Sequence, residues 1–171
     1  MTLKEALASA RATFPNFPPD VFSLWFDDRI KQSGWPPSGL EWEGFFLGRS
    51  VKSWQAYAWQ RDTVQLRAQQ FSTSALRTLM LIIEAGVYGR ENWITAYIPN
   101  TVERFISSVN YIKTDGKVPG TLVLLRGADG YEVVEGNHRV AALLYLSVQN
   151  QLRSLGDVAS ADVWVAIEEG I

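Results

Sequence analysis

The stretch Tyr131-Glu132-Val133-Val134-Glu135-Gly136-Asn137-His138-Arg139-Val140-Ala141-Ala142-Leu143-Leu144 decides how this chain is read. Its first five residues are strand-like, Gly136 permits a tight turn, and a helix is expected from about residue 137 to 149. That helix is apolar on nearly every side, so it should lie inside the protein with only its first turn near solvent. A helix's first turn carries unpaired backbone N–H groups and the positive end of the macrodipole, and both favour an anion. His138, the only histidine in the chain, adds a donor that can charge near neutral pH, while Arg139 adds a permanent charge with forked donors. Together these predict a phosphate site. The plainer alternative is a structural helix start in which Glu135 pairs with Arg139 at i, i+4, worth ~0.3–0.5 kcal/mol.

Upstream, residues 118–126 read as a strand and 127–130 as a hairpin turn that returns through 131–135. Asp129 at the hairpin tip is a turn residue. Val102, Phe105, Ile106 and Val109 recur at helical spacing, so residues 101–112 predict an amphipathic helix, with Asn100 and Glu103 resembling a capping pattern. Residues 93–98, rich in aromatic and β-branched side chains, predict a strand ending at Pro99. Downstream, Gly156 and Asp157 break the chain, and residues 163–167 form a last strand before an acidic end where Glu168 and Glu169 are expected to be solvated.

The first half has a different texture. Five of the seven tryptophans (Trp25, Trp35, Trp42, Trp54 and Trp59) fall in the first 60 residues, dividing the chain into an aromatic part, 1–90, and a remainder, 91–171, of one domain. Thr2 and Glu5 form a capping-box pattern ahead of a helix over 3–12, and Asp20 can cap a second helix running to about Lys31 and closed by Gly34. Residues 41–49 leave strand and irregular aromatic segment both open. Residues 51–70 read as helical, with a change to strand partway. Ser72, Thr73 and Ser74 offer caps to a helix carrying the stripe Leu76, Leu79, Met80, Ile83 and ending at Gly86. The tryptophans belong by default to the core, with stacking on a base or sugar, or a protein-binding groove, as the alternatives. Arg49, Lys52, Arg61 and Arg67 among Trp54, Tyr57 and Trp59 make a basic and aromatic mixture of the kind that holds nucleic acid, a reading the overall charge does not favour.

With 171 residues, 47% hydrophobic and 20% charged, the chain can bury a substantial core as one domain. Its 16 basic and 18 acidic residues, net −2, give no global field toward DNA or anionic membrane. The absence of cysteine excludes disulfides, thiolate metal sites and a cysteine nucleophile, so a metal would need oxygen ligands. No apolar run approaches the ~18–20 residues that span a bilayer, and the first residues lack the apolar core of a secretory signal. A cytoplasmic protein with no membrane contact is the resulting expectation.

The segment Val133-Val134-Glu135-Gly136-Asn137-His138-Arg139-Val140-Ala141-Ala142-Leu143 resembles the signature of the ParB/sulfiredoxin superfamily. There an acidic or small residue, Gly, one variable residue, His or Arg, and then Arg precede an Ala-rich helix. The resemblance covers roughly the last 80 residues, the span of a compact α/β unit. It implies an α/β or α+β domain with a ParB/sulfiredoxin-like mixed-sheet core, onto which the Trp-rich, mainly helical N-terminal part packs. It further implies that Gly136, Asn137, His138 and Arg139 hold the phosphates of a nucleoside triphosphate with Mg2+. Members range from nucleotide-driven DNA clamps to kinases of small substrates and proposed nucleases. Asn137 occupies the place of the reactive Cys in the sulfiredoxin branch, and no helix-turn-helix follows the motif as it does in the partitioning branch.

The leading expectation is therefore a nucleotide-phosphate-binding protein with phosphoryl-transfer or NTP-hydrolysing chemistry. In it His138 serves as acid or base, and Glu135 and Glu103 are the candidate carboxylates for base or metal-ligand work. One alternative is a non-enzymatic interaction protein of a phage, plasmid or toxin system that holds a protein partner through its aromatic half. The other is a DNA-acting ParB-like nuclease, for which no metal-binding acidic cluster can be assembled from the sequence.

Overall fold

Leu122 and Leu124 point to one side of a strand, and Val123 and Leu125 to the other. All four are fully buried, so the strand that carries them must be covered on both faces. In the computed structural model, which describes residues 1–156 and 159–168, that strand is β2 (Lys117–Gly127) of a four-stranded sheet. The others are β1 (Ala58–Val64), β3 (Gly130–Glu135) and β4 (Ser160–Ile167), in the order β1-β4-β2-β3. β4 runs parallel to β2 and antiparallel to β1, while β2 and β3 form the antiparallel hairpin read from the sequence. The sheet is mixed and the chain is α/β, as expected.

One face carries an aliphatic layer of α6 (Thr73–Tyr88), α8 (Thr101–Asp115) and α9 (Asn137–Leu152). Leu79, Ile82, Phe105, Ile112, Val140 and Leu143 meet Leu122, Leu124, Val163 and Val165 there. α9 buries six apolar residues between Val140 and Leu146, so the prediction of an internal helix holds. α6 runs two residues past Gly86, to Tyr88, and ends in a left-handed cap at Gly89. The predicted end at Gly86 is instead a point of close helix crossing, because a Cβ there would collide with the Phe105 ring.

The other face carries the aromatic layer. α1 (Leu3–Thr13), α2 (Pro19–Trp25), α3 (Asp27–Ser33), α4 (Leu40–Phe45) and α5 (Val51–Ala56) bring Phe14, Phe22, Phe26, Trp42 and Trp54 onto Val123, Leu125 and Ala166. The Thr2–Glu5 capping box forms. Asp20 does not cap α2: it lies in the first turn and accepts from Trp164 Nε1 at 2.7 Å, tying the layer to β4. The single helix expected over 20–31 is two, α2 and α3. Residues 41–49 are neither strand nor irregular throughout, since α4 occupies their first half.

Residues 51–70 do change from helix to strand, α5 to β1. The strand predicted over 93–98 is a helix, α7 (Trp93–Tyr97). Asn92 Oδ1 accepts from the N–H groups of Ile94 and Thr95, and Thr95 Oγ1 accepts from the Asn92 N–H, a reciprocal cap that outweighs the β propensity of the side chains. The sequence break at Asp157 and the expectation for Glu169 fall outside the described residues. No helix among the described residues is long and apolar enough to cross a membrane.

Candidate functional site

β3 ends at Glu135, and Gly136 turns the chain into α9 with φ +107. Only glycine serves at this position, because a Cβ would lie 2.6 Å from Leu122 Cδ2 and 3.0 Å from Arg139 Nη2. The first backbone bond of α9 is Val140 N–H to the Gly136 carbonyl, which leaves the N–H groups of residues 137–139 at the open end of the helix. α8 flanks this end. Between the two helices lies a cleft of about 480 Å³ lined by Asn100, Glu103, Arg104, Ser107 and Ser108 on one side and by Glu135, Gly136, His138 and Arg139 on the other. That volume falls in the ~300–1,000 Å³ range of small-molecule sites.

Five of the six residues singled out from sequence meet here, and Asn137 is not among the lining residues. Asn100 does not cap α8. Its backbone is left-handed, its side chain caps nothing, and it faces the cleft instead. Arg104, Ser107 and Ser108 were not legible as site residues, because only the packing of α8 beside α9 brings them there.

His138 is only 6% exposed, and its Nε2 is sealed from solvent without a hydrogen-bond partner. Burial, reinforced by the charges of Arg104 and Arg139, pushes its pKa down from 6.5 to about 4. The imidazole is therefore neutral at physiological pH, against the expectation that it charges there. Burial also raises the pKa of Glu135, opposed by Arg139 and Arg104. Arg139 is pulled below the usual guanidinium range, first by burial. Its Nη1 donates to the carbonyls of Pro119 and Thr121 at 2.8 and 3.2 Å, and its Nη2 stands 3.7 Å from Glu135 Oε1. That last distance is an ion pair without a hydrogen bond. Glu103 and Arg104 are exposed on the opposite wall.

Two other sequence candidates resolve differently. Trp25, Trp42 and Trp54 are buried and Trp35 and Trp59 partly so, which makes the aromatic half a core layer. The basic mixture around them is dispersed. Arg49 is bound to Glu132 and Glu168, and Arg61 lies over the Trp164 ring at 5.9 Å. Glu168 is accordingly not solvated: its Oε1 accepts from Arg49 Nε at 2.7 Å and from the Tyr57 hydroxyl at 3.1 Å. No group of three or more His, Asp or Glu residues able to hold a metal ion occurs among the described residues. No protein-family model, characterised protein or solved structure matches this chain.

Proposed function

We infer that the cleft at the start of α9 binds the phosphate of a nucleotide. The observation that carries this reading is His138, a buried and neutral imidazole lining the cleft with an unpartnered Nε2. An unsatisfied buried polar atom costs about 1–3 kcal/mol, and a ligand atom that reaches it from the cleft would recover that cost. The N–H groups of the first turn of α9 and the helix dipole supply the sign of the ligand, an anion. The likeness of residues 133–143 to the ParB/sulfiredoxin signature points the same way, to a nucleoside triphosphate accompanied by Mg2+. Glu103 and Glu135 supply the carboxylate oxygens in the cleft that such a cation prefers.

Phosphoryl chemistry asks little covalent work of a protein beyond positioning and charge neutralisation. A neutral His138 can accept a proton from an attacking hydroxyl, with Glu135 and Glu103 as the further candidates for base or metal ligand. Calorimetric titration of the folded protein with ATP, CTP and GTP, each with Mg2+, tests the binding. Saturable heat with at least one nucleotide, abolished in His138→Ala, is the expected result, and silence with all three sinks the reading. Assays for phosphate release or transfer with the nucleotide that binds then decide between enzyme and binding protein.

A further inference from the structure

We propose that the two arginines of this cleft divide the work: Arg104 meets the anion, and Arg139 is a positioning residue that braces the turn. This rests on the phosphate reading of the cleft and reassigns its principal charge.

The guanidinium of Arg139 lies in a slot between two glycines. A Cβ on Gly120 would stand 3.0 Å from Arg139 Nη1, and a Cβ on Gly136 would stand 3.0 Å from Nη2 and 3.3 Å from Cζ. Both glycines have positive φ, +66 and +107, and both backbones come close to the planar group because neither carries a side chain. At Gly120 the parallel ladder between β2 and β4 is interrupted, with a register shift between Lys117 and Thr121. The carbonyls on either side of that glycine, those of Pro119 and Thr121, receive Nη1. Arg139 thus replaces the ladder partner that the irregular segment lacks and ties β2 to the first turn of α9. Its remaining terminal nitrogen faces Glu135, whose charge opposes its own.

Arg104 is in the opposite situation. It sits on the second turn of α8, exposed, and its guanidinium has no hydrogen bond, ion pair or aromatic partner among the described residues. It lines the cleft opposite Glu135, Gly136, His138 and Arg139 at the start of α9, and its charge acts on Glu135, His138 and Arg139 together. An anion on the N–H groups of residues 137–139 would lie between that helix end and an uncommitted fork of donors, with Ser107 and Ser108 on the same wall.

The test follows backbone amide shifts by NMR as inorganic phosphate is added to the full chain, with thermal unfolding of each variant measured in parallel. In the wild type the amides of residues 137–139 shift and saturate. Arg104→Ala keeps the wild-type Tm and weakens binding at least about tenfold, the effect of one charge-assisted contact. Arg139→Ala lowers the Tm and moves the amides of Val118 and of Gly120, Thr121 and Leu122 before any phosphate is present. Arg139→Lys, whose ammonium can still reach the two carbonyls, restores the Tm and the binding together. If Arg104→Ala binds like the wild type, or folded Arg139→Lys loses phosphate while keeping its Tm, the division of work is overturned and the site stands. If the wild type itself shows no saturable shift at residues 137–139, the phosphate reading fails and takes the assignment with it.

Discussion

Arg49 and Arg139 are buried to the same depth, with side chains 22% and 20% exposed, but they live in opposite surroundings. Arg49 follows the turn at Leu47 and Gly48 on the aromatic side of the sheet. There it donates to Glu132 Oε2 at 2.6 Å, Glu168 Oε1 at 2.7 Å and the Leu47 carbonyl at 2.9 Å. Glu168 also takes the Tyr57 hydroxyl. Hydrogen bonds to both carboxylates satisfy the cluster internally, and it clasps the aromatic layer to the ends of β3 and β4. At Arg139 the nearest carboxylate is 3.7 Å away, and a histidine one residue earlier has a buried nitrogen with no partner. A buried polar cluster that is satisfied stabilises one arrangement of the chain, whereas one left open is what the proposed anion would complete.

The sharpest way to break the comparison is to remove the satisfied arginine. Arg49→Ala leaves the Glu132 and Glu168 carboxylates without their shared cation at the edge of the aromatic layer. Breaking a fully buried pair this way costs ~3–5 kcal/mol, and partial exposure places this one near the bottom of that range, about 3 kcal/mol. Urea denaturation should show the midpoint falling, and phosphate binding by the folded variant should be unchanged because the cluster lies outside the cleft. A loss below about 0.5 kcal/mol would mean that Arg49 behaves as a surface ion pair and that the contrast has no energetic content.

The difference between the clusters explains what the sequence could tell. Where one short segment carries both the period and the punctuation, the fold was legible: β2, the hairpin, α8 and α9 lie where alternation, a glycine turn and the helical stripe of Val102, Phe105 and Val109 put them. At residues 93–97 side-chain preference misled, since Asn92 and Thr95 form a cap that decides the backbone locally. The turn into α9 was legible because Gly136, His138 and Arg139 fall within four residues of one another. The partners of its charges were not: Arg139 bonds carbonyls 18 and 20 residues away, and Arg104 reaches the cleft only through the juxtaposition of α8 and α9. Likewise Glu168, at an acidic chain end, reads as solvated until Arg49, 119 residues earlier, is seen beside it.

A second test uses pH and reads the open cluster. The folded protein holds His138 neutral down to about pH 4, while the unfolded chain takes up a proton near its ordinary value of 6.5. The unfolded state therefore binds more protons between those values, so stability is full above 6.5 and declines as pH falls toward 4. The loss reaches about 1.4 kcal/mol one pH unit below the ordinary value. Glu135 works in the reverse sense, because its raised carboxyl favours the folded state on the acid side and loses that contribution as pH rises through its folded value. Subtracting the stability profile of His138→Leu from that of the wild type isolates the histidine, and a flat difference between pH 7 and 5 would show that His138 titrates normally.

The smallest expected effect separates the two clusters most directly, because its sign is reversed. At pH 7, His138→Leu removes a buried nitrogen without a partner and places an apolar side chain in the buried first turn of α9. Relief of the unsatisfied atom is worth about 1–3 kcal/mol, and imperfect fit of the branched side chain takes part of it back. A net gain of about 1 kcal/mol in unfolding free energy is expected, with phosphate binding lost. Loss of stability instead would place His138 with Arg49, as a group the fold itself has satisfied, and would remove the reason for expecting a ligand. A residue whose removal strengthens the fold while abolishing binding is retained at the expense of stability, and such residues mark functional sites.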